Sequence, residues 1–139
     1  MTRVIDASVA LKWVLPLEHL SNVARRLLDD DDEMIAPDII LIEAANALWR
    51  KVIRRDLTAP EADVALGGIA ARRLHLRSSA SVVHRALGLA AALSHPVYDC
   101  VYLALAELAG APLITADDRL AALGARSGTP VRVVALSSL

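Results

Sequence analysis

The sequence contains no phenylalanine, only one cysteine and no long uninterrupted run of apolar residues. Because Cys100 has no second cysteine to pair with, we expect a protein of the reducing cytosol. The longest apolar run, residues 86–93, is far shorter than the ~18 residues that a membrane span needs. A signal peptide is not recognisable, because Asp6 stands where an apolar segment would be required. We therefore expect a cytoplasmic protein without a membrane partner.

Basic residues are not in excess, and aromatic residues are scarce. The formal net charge is −1, so no overall positive field attracts nucleic acid. Aromatic residues make up 3% of the chain, which leaves little scope for stacking on bases. Hydrophobic residues make up 55% of 139 residues, a length that fits one domain. We predict a single domain over residues 1–139, with apolar surface left for a partner.

Short apolar strands alternate with amphipathic helices along the chain. The predicted strands lie near residues 3–6, 34–36, 74–76, 111–115 and 131–134. The predicted helices lie near residues 9–15, 18–28, 39–54, 60–73, 82–93, 97–109 and 118–123. This alternation is typical of a parallel sheet covered on both faces. The sequence therefore predicts an α/β fold with a central parallel sheet of about four to five strands flanked by helices.

Several residues are predicted to begin or end these helices. Ser8 is placed to open the first helix, Asp38 to cap the third and Thr58 to cap the fourth. Gly110 is expected to end the helix over residues 97–109, because glycine readily adopts the left-handed backbone found there.

Four acidic residues do not suit an exposed surface. Asp6 ends the first strand and Asp117 follows the strand over residues 113–115, while Glu43 and Asp99 lie in otherwise apolar helical segments. Ionised carboxylates are rarely buried unless they are paired or bound to a metal, and no basic residues lie in matching apolar contexts. Mg²⁺ and Mn²⁺ prefer oxygen ligands. The pattern predicts a site for such an ion at the carboxyl edge of the sheet, where ligands bind in open α/β folds.

The histidine and cysteine content argues against a zinc site. One cysteine and four histidines occur without the spacing of zinc ligands, and His95, just before Pro96, is interpreted as a turn residue.

An acid cluster with Mg²⁺ suits phosphodiester hydrolysis, because the metal lowers the pKa of a water and neutralises charge in the transition state.

Two hydroxyl residues accompany the strand-end acids. Ser8 and Thr115 are candidates to orient Asp6 and Asp117 or to hold a water. Alternatively, Ser8 caps the first helix, and Thr115 caps the last one with Asp118 in the position of a capping box. On this interpretation Asp117 is the better metal ligand and Asp118 the better capping residue.

Four segments of the chain resemble those of the PIN domain, and more narrowly those of VapC-type toxins of bacterial type II toxin–antitoxin systems. The segments are VIDAS (4–8), PD with EAANAL (37–38 and 43–48), PVYDC (96–100) and LITAD (113–117). The resemblance implies a PIN-like fold and a Mg²⁺- or Mn²⁺-dependent endoribonuclease. Its catalytic metal ligands would be Asp6, Glu43, Asp99 and Asp117, with supporting roles for Ser8, Thr115, Asn46 and Asp118.

The same resemblance implies partners. A VapB-type antitoxin would block the site and carry the DNA-binding end, so that DNA is contacted only through the antitoxin. A structured RNA is the implied substrate, and a homodimer the implied assembly. The apolar helices over residues 18–28 and 39–53 are candidate partner surfaces. The candidates for phosphate contacts, which position a substrate without specifying it, are Lys12, Arg50, Lys51, Arg54, Arg55 and Arg119.

Two alternatives remain at this level. In a phosphatase of the haloacid dehalogenase type, Asp6 would be a nucleophile that forms an aspartyl-phosphate. That chemistry usually has a second aspartate where this chain has Ser8, and a later lysine for which neither Lys12 nor Lys51 is well placed. The other alternative is a catalytically inactive PIN-like binding module, against which the complete set of four acids argues.

Overall fold

The structure, a computed structural model, describes residues 1–126 and 128–139. Its strands are β1 (Thr2–Ile5), β2 (Glu33–Pro37), β3 (Leu74–Arg77), β4 (Leu113–Thr115) and β5 (Val133–Ala135). All pairs are parallel, and the strands form one sheet in the order β3-β2-β1-β4-β5. The predicted parallel sheet of four to five strands is confirmed, with β5 beginning at Val133 instead of near residue 131.

Seven α-helices connect and flank these strands within the described residues. They are α1 (Ala7–Val14), α2 (Ser21–Arg26), α3 (Ile40–Ile53), α4 (Ala59–Ala70), α5 (Val83–Leu93), α6 (Val97–Ala109) and α7 (Asp118–Leu123). Single 3₁₀ turns follow α2, precede α5 and follow β5. The second helix is shorter than predicted at both ends: it begins at Ser21, not near residue 18, and the turn after it, Leu27–Asp29, has 3₁₀ geometry.

The core lies on both faces of the central strands. Two pairs of consecutive strand residues are buried: Val4 and Ile5 in β1, and Leu113 and Ile114 in β4. Because neighbouring residues of a strand point to opposite faces, both faces of the sheet must be covered. Helix α6 packs on β1, β2 and β4, and its residues 100–106 are buried without interruption. A helical segment that is apolar all round needs such a position.

Within the part of the chain that the structure describes, no single helix is long and apolar enough to cross a membrane. Helices α5 and α6 reach the required length and composition only as a pair, and the pair is bent by 116°.

The structure corrects two of the predicted helix starts and confirms a third. Helix α1 begins at Ala7, so Ser8 lies inside its first turn and does not cap it. Asp38 does not cap α3; its carboxylate accepts hydrogen bonds from the backbone N–H, at 3.1 Å, and the hydroxyl of Ser79. The reason is that β2 and β3 remain paired up to the residue before Asp38. Thr58 does cap α4, in a reciprocal capping box with Glu61.

Two glycines allow a matched test of packing at the end of α7. A Cβ at Gly124 would lie 2.5 Å from the Cβ of Val133, so α7 rests directly on β5 at this point. We expect Gly124→Ala to destabilise the protein by about 1–3 kcal/mol, because a β-branched neighbour cannot move aside. Gly67 in α4 has open space around its Cβ position, and Gly67→Ala should stabilise by about 0.5–1 kcal/mol. Thermal denaturation measures both changes; equal melting temperatures for wild type and Gly124→Ala would contradict this packing.

Candidate active site

The centre of the sheet contains a topological switch point between β1 and β4. The chain proceeds from β1 through β2 to β3 in one direction and then returns to β4 and β5 on the other side. Ligands of open α/β folds bind at the carboxyl ends of the strands at such a point. Asp6 directly follows β1, and its N–H donates to the carbonyl of Ile114 at 3.1 Å. The strand-end acid therefore lies at the predicted edge of the sheet.

Two hydroxyl groups hold the Asp6 carboxylate. Ser8 Oγ and Thr115 Oγ1 donate to the same oxygen of Asp6, Oδ2, at 2.5 and 2.8 Å. Each hydroxyl also accepts a hydrogen bond from a backbone N–H. The N–H of Ala116 donates to Ser8 Oγ at 2.9 Å, and the N–H of Asp117 donates to Thr115 Oγ1 at 3.0 Å. Because a hydroxyl has one proton to donate, these contacts orient both protons towards Asp6. The predicted orienting roles of Ser8 and Thr115 towards Asp6 thus have a geometric basis.

The capping assignment at α7 was wrong. Asp117, not Thr115, is the N-cap, because its Oδ1 accepts the N–H of Arg119 at 2.9 Å. Asp118 is the first residue of the helix and is exposed. The Thr115 hydroxyl is engaged by Asp6, so the residue two positions later takes the cap. The backbone N–H of Asp117 donates to the Thr115 hydroxyl, which in turn donates to Asp6, whereas Asp118 is exposed to solvent.

Asp6, Glu43 and Asp99 form the electrostatic centre of the site. Only 5% of Asp6 is exposed, and burial raises its pKa, as does the charge of Asp99, while the hydroxyls of Ser8 and Thr115 oppose the shift. Burial also raises the pKa of Glu43 to about 7, and the charges of Asp6 and Asp99 add to that effect. The three carboxylates, from the residue after β1 and from α3 and α6, repel one another. The structure therefore brings three of the four predicted acids together, with Asp117 at their margin.

A buried tyrosine adjoins these acids. Tyr102 is fully buried, and its hydroxyl tends to lower the pKa of Glu43. Burial is the main reason why the pKa of the Tyr102 hydroxyl is raised, and the charges of Asp6 and Glu43 raise it further. Within the described residues, neither the Tyr102 hydroxyl nor Glu43 Oε1 completes a hydrogen bond. Unsatisfied buried oxygens are costly, so this pair of atoms indicates a place for a further ligand.

The residues at this edge fit a hard divalent cation in charge and donor type. The carboxylates of Asp6, Glu43 and Asp99 repel one another, and Glu43 Oε1 is buried with no hydrogen-bond partner among the residues that the structure describes. A cation would relieve both the repulsion and the unsatisfied oxygen. Among residues 1–126 and 128–139, no three acidic, histidine or cysteine side chains already converge on one point that could hold an ion.

Two neighbours of the acids, His95 and Tyr102, were not predicted as such from the sequence. His95 Nε2 lies 2.6 Å from Asp99 Oδ2, so His95 is more than the predicted turn residue. Tyr102 lies one helical turn beyond Asp99 on α6. Helical spacing could have indicated Tyr102, since residues three or four apart along a helix occupy the same face. His95 lies between α5 and α6, where helical spacing does not apply.

The predicted phosphate contacts lie at different distances from the acids. Lys12 lines a pocket of about 160 Å³ together with Thr115, Asp117 and Asp118. The Lys12 ammonium also forms an ion pair with the Glu18 carboxylate, with 3.9 Å between Nζ and Oε2. Arg119 is exposed at the start of α7.

The remaining candidates lie farther along α3. Asn46 and Arg50 are exposed, one and two helical turns beyond Glu43. Lys51 pairs with Glu18 at 2.6 Å, and Arg54 and Arg55 follow the end of α3. Of the basic residues, Lys12 and Arg119 therefore adjoin Asp117, whereas the arginines at the end of α3 lie two or more helical turns beyond Glu43.

The model of the PIN domain family matches residues 3–125 of the chain. The chain therefore belongs to the PIN-domain family, which confirms the resemblance drawn from its motifs. Among curated proteins, Ribonuclease VapC3 of Pyrobaculum aerophilum is 35% identical over 123 residues, covering 87% of this chain and 93% of the relative.

Solved structures show the same fold at low sequence identity. VapC20 of Mycobacterium tuberculosis, described as a sarcin–ricin loop cleaving toxin, has a TM-score of 0.70 at 15% identity and covers 92% of this chain and 99% of its own. VapBC2 of Rickettsia felis, bound to a DNA fragment from its promoter, has a TM-score of 0.68 at 13% identity, with coverages of 97% and 98%. The prediction of a PIN-like α/β fold is thereby confirmed.

Proposed function

We propose that this protein is a metal-dependent endoribonuclease and the toxin of a type II toxin–antitoxin system. The observation that carries the proposal is the group of three mutually repelling carboxylates, Asp6, Glu43 and Asp99, at the switch point of a PIN-domain sheet. The related Ribonuclease VapC3, which aligns over most of this chain, supports RNA as the substrate.

The acids of the site would hold Mg²⁺ or Mn²⁺. We assign Asp6, Glu43, Asp99 and Asp117 as ligands, directly or through water. When bound, the ion supplies an activated water and neutralises negative charge on the phosphodiester during cleavage. Ser8 and Thr115 keep the Asp6 carboxylate in one orientation, and the N-cap bond to Arg119 does the same for Asp117. Asn46 and Asp118 are assigned supporting positions at the rim.

Glu43 is the acid whose protonation links metal binding to pH. Its pKa of about 7 applies to the protein without an ion, so near neutral pH the carboxyl still holds a proton in part of the molecules. A bound ion would displace that proton, because metal ligands bind in their deprotonated form. Lys12 and Arg119 are placed to contact RNA phosphates next to the acids, and Arg50 is a more distant contact.

Cleavage of RNA with defined metal content tests the function directly. We expect the purified protein to cleave structured RNA with Mg²⁺ or Mn²⁺, and chelation to abolish cleavage, because the acids alone cannot activate a water. Gel analysis of a labelled RNA measures the rate, with re-addition of Mn²⁺ as the control. Equal cleavage in chelator and in Mg²⁺ would refute the mechanism. Hydrolysis of a small phosphate ester without RNA cleavage would favour the phosphatase instead.

We assign a VapB-type antitoxin as the partner. Large apolar side chains are exposed in a stripe on α3, at Ile42, Trp49 and Ile53, and Val64 of α4 is also exposed. Between these helices lies an apolar groove of about 280 Å³. An amphipathic segment of another protein is the usual occupant of such a groove.

The Rickettsia felis complex with promoter DNA supports an assembly in which the antitoxin contacts DNA, and we propose that this toxin also forms a homodimer.

A further inference from the structure

We propose that His95 is a positioning residue that orients the Asp99 carboxylate for metal binding. The proposal rests on the proposed function, because it takes Asp99 as a metal ligand. The two side chains are 2.6 Å apart between Nε2 and Oδ2, the length of a strong hydrogen bond to a carboxylate. The bond needs only an N–H on Nε2, which the neutral imidazole can also provide.

The backbone around His95 holds the ring in place. Ser94 ends α5 in the left-handed conformation with φ 52°, and Pro96 is the residue before α6. The N–H of His95 donates to the carbonyl of Ala90 at 3.2 Å. The side chain of His95 is 15% exposed and that of Asp99 is 24% exposed, so water competes only partly for the contact. The donor is therefore in place before an ion arrives.

The chemistry of the cluster explains why Asp99 needs such a partner. Asp6 has two hydroxyl donors and Glu43 has the Tyr102 hydroxyl beside it, whereas the contact of Asp99 is to an imidazole. Repulsion from the other two acids would turn the Asp99 carboxylate away from them. A donor on Oδ2 restricts that rotation and leaves Oδ1 to the ion. Carboxylate ligands of metals commonly have an outer hydrogen bond of this kind.

Substitution of His95 tests the proposal through metal affinity. We expect His95→Leu to weaken Mn²⁺ binding to the RNA-free protein by about 10–100-fold, the usual effect of losing an outer partner. His95→Gln, whose amide can place an N–H near the position of Nε2, should restore binding to within a few-fold of wild type. His84→Leu, at an exposed histidine of α5, is the matched control and should not alter binding. Electron paramagnetic resonance of free Mn²⁺ measures the dissociation constants, and circular dichroism checks the fold.

A merely structural role would lower the melting temperature of His95→Leu and leave its Mn²⁺ affinity unchanged, which would overturn the proposal. If His95→Leu does not fold, His95→Asn takes its place, because the shorter amide cannot reach Asp99 Oδ2. Equal Mn²⁺ affinities for His95→Asn and His95→Gln would likewise overturn it. Absence of Mn²⁺ binding by the wild-type protein would refute Asp99 as a ligand and the proposed function with it. Normal binding by wild type and His95→Leu would refute the role of His95 alone.

Discussion

Asp6→Asn is expected to reduce RNA cleavage by at least about 10³-fold while raising the melting temperature of the metal-free protein. The loss of activity follows from the loss of a metal ligand, since metal ions contribute several kcal/mol to such reactions. The gain in stability follows from burial: Asp6 is 5% exposed, and desolvation outweighs its hydrogen bonds, so its pKa is raised. Asparagine has no charge to desolvate and keeps an oxygen for Ser8 and Thr115.

These opposite effects distinguish a functional acid from a structural one. A structural aspartate would lose activity and stability together when replaced. Asp63→Asn in α4, at an exposed acid, is the control and should change neither quantity. Labelled-RNA cleavage and thermal denaturation in chelator give the two measurements. Activity of Asp6→Asn within tenfold of wild type would remove Asp6 from the catalytic group.

Glu43 should make the metal-free protein less stable as the pH rises from about 4.5 to 7. Below pH 4.5 the side chain is protonated in both the folded and unfolded states and contributes no difference. Between its ordinary pKa of 4.5 and its folded pKa of about 7, the unfolded state releases the proton while the folded state retains it. Rising pH then favours unfolding, and above pH 7 the penalty is complete. Because water reaches part of the side chain, we expect about 1–3 kcal/mol, or roughly 5–10 °C.

Comparison with Glu43→Gln isolates this contribution from those of other groups. In chelator, Glu43→Gln should be more stable than wild type at pH 8 and indistinguishable from it at pH 4.5. Mg²⁺ should stabilise wild type more at pH 8 than at pH 5, because at the lower pH the ion must displace a proton from Glu43. Thermal denaturation across this pH range measures both effects. A stability difference between wild type and Glu43→Gln that does not change with pH would contradict the raised pKa.

Much of the architecture was predictable because it depends on near neighbours in the chain. Alternating apolar strands and helices indicated the parallel sheet, and the left-handed Gly110 and the capping box at Thr58 are local features. The helix starts at Ser8, Asp38 and Thr115 were mispredicted for one reason. Each of these side chains binds a partner distant in sequence, at Ala116, Ser79 and Asp6 respectively, and local capping rules cannot include such partners.

The candidate members of the site could be recognised from residue order alone, because acids in apolar surroundings are costly unless something compensates them, and four such acids stood out. Which of these acids interact depends on the folded arrangement. It placed Asp6 against Thr115, 109 residues away, brought Glu43 near Asp99, and made Asp117 the cap of α7. It also supplied His95 and Tyr102 as neighbours of the acids. The physical reason is that desolvation and charge–charge repulsion depend on distances in space, which the folded chain sets and the order of residues does not.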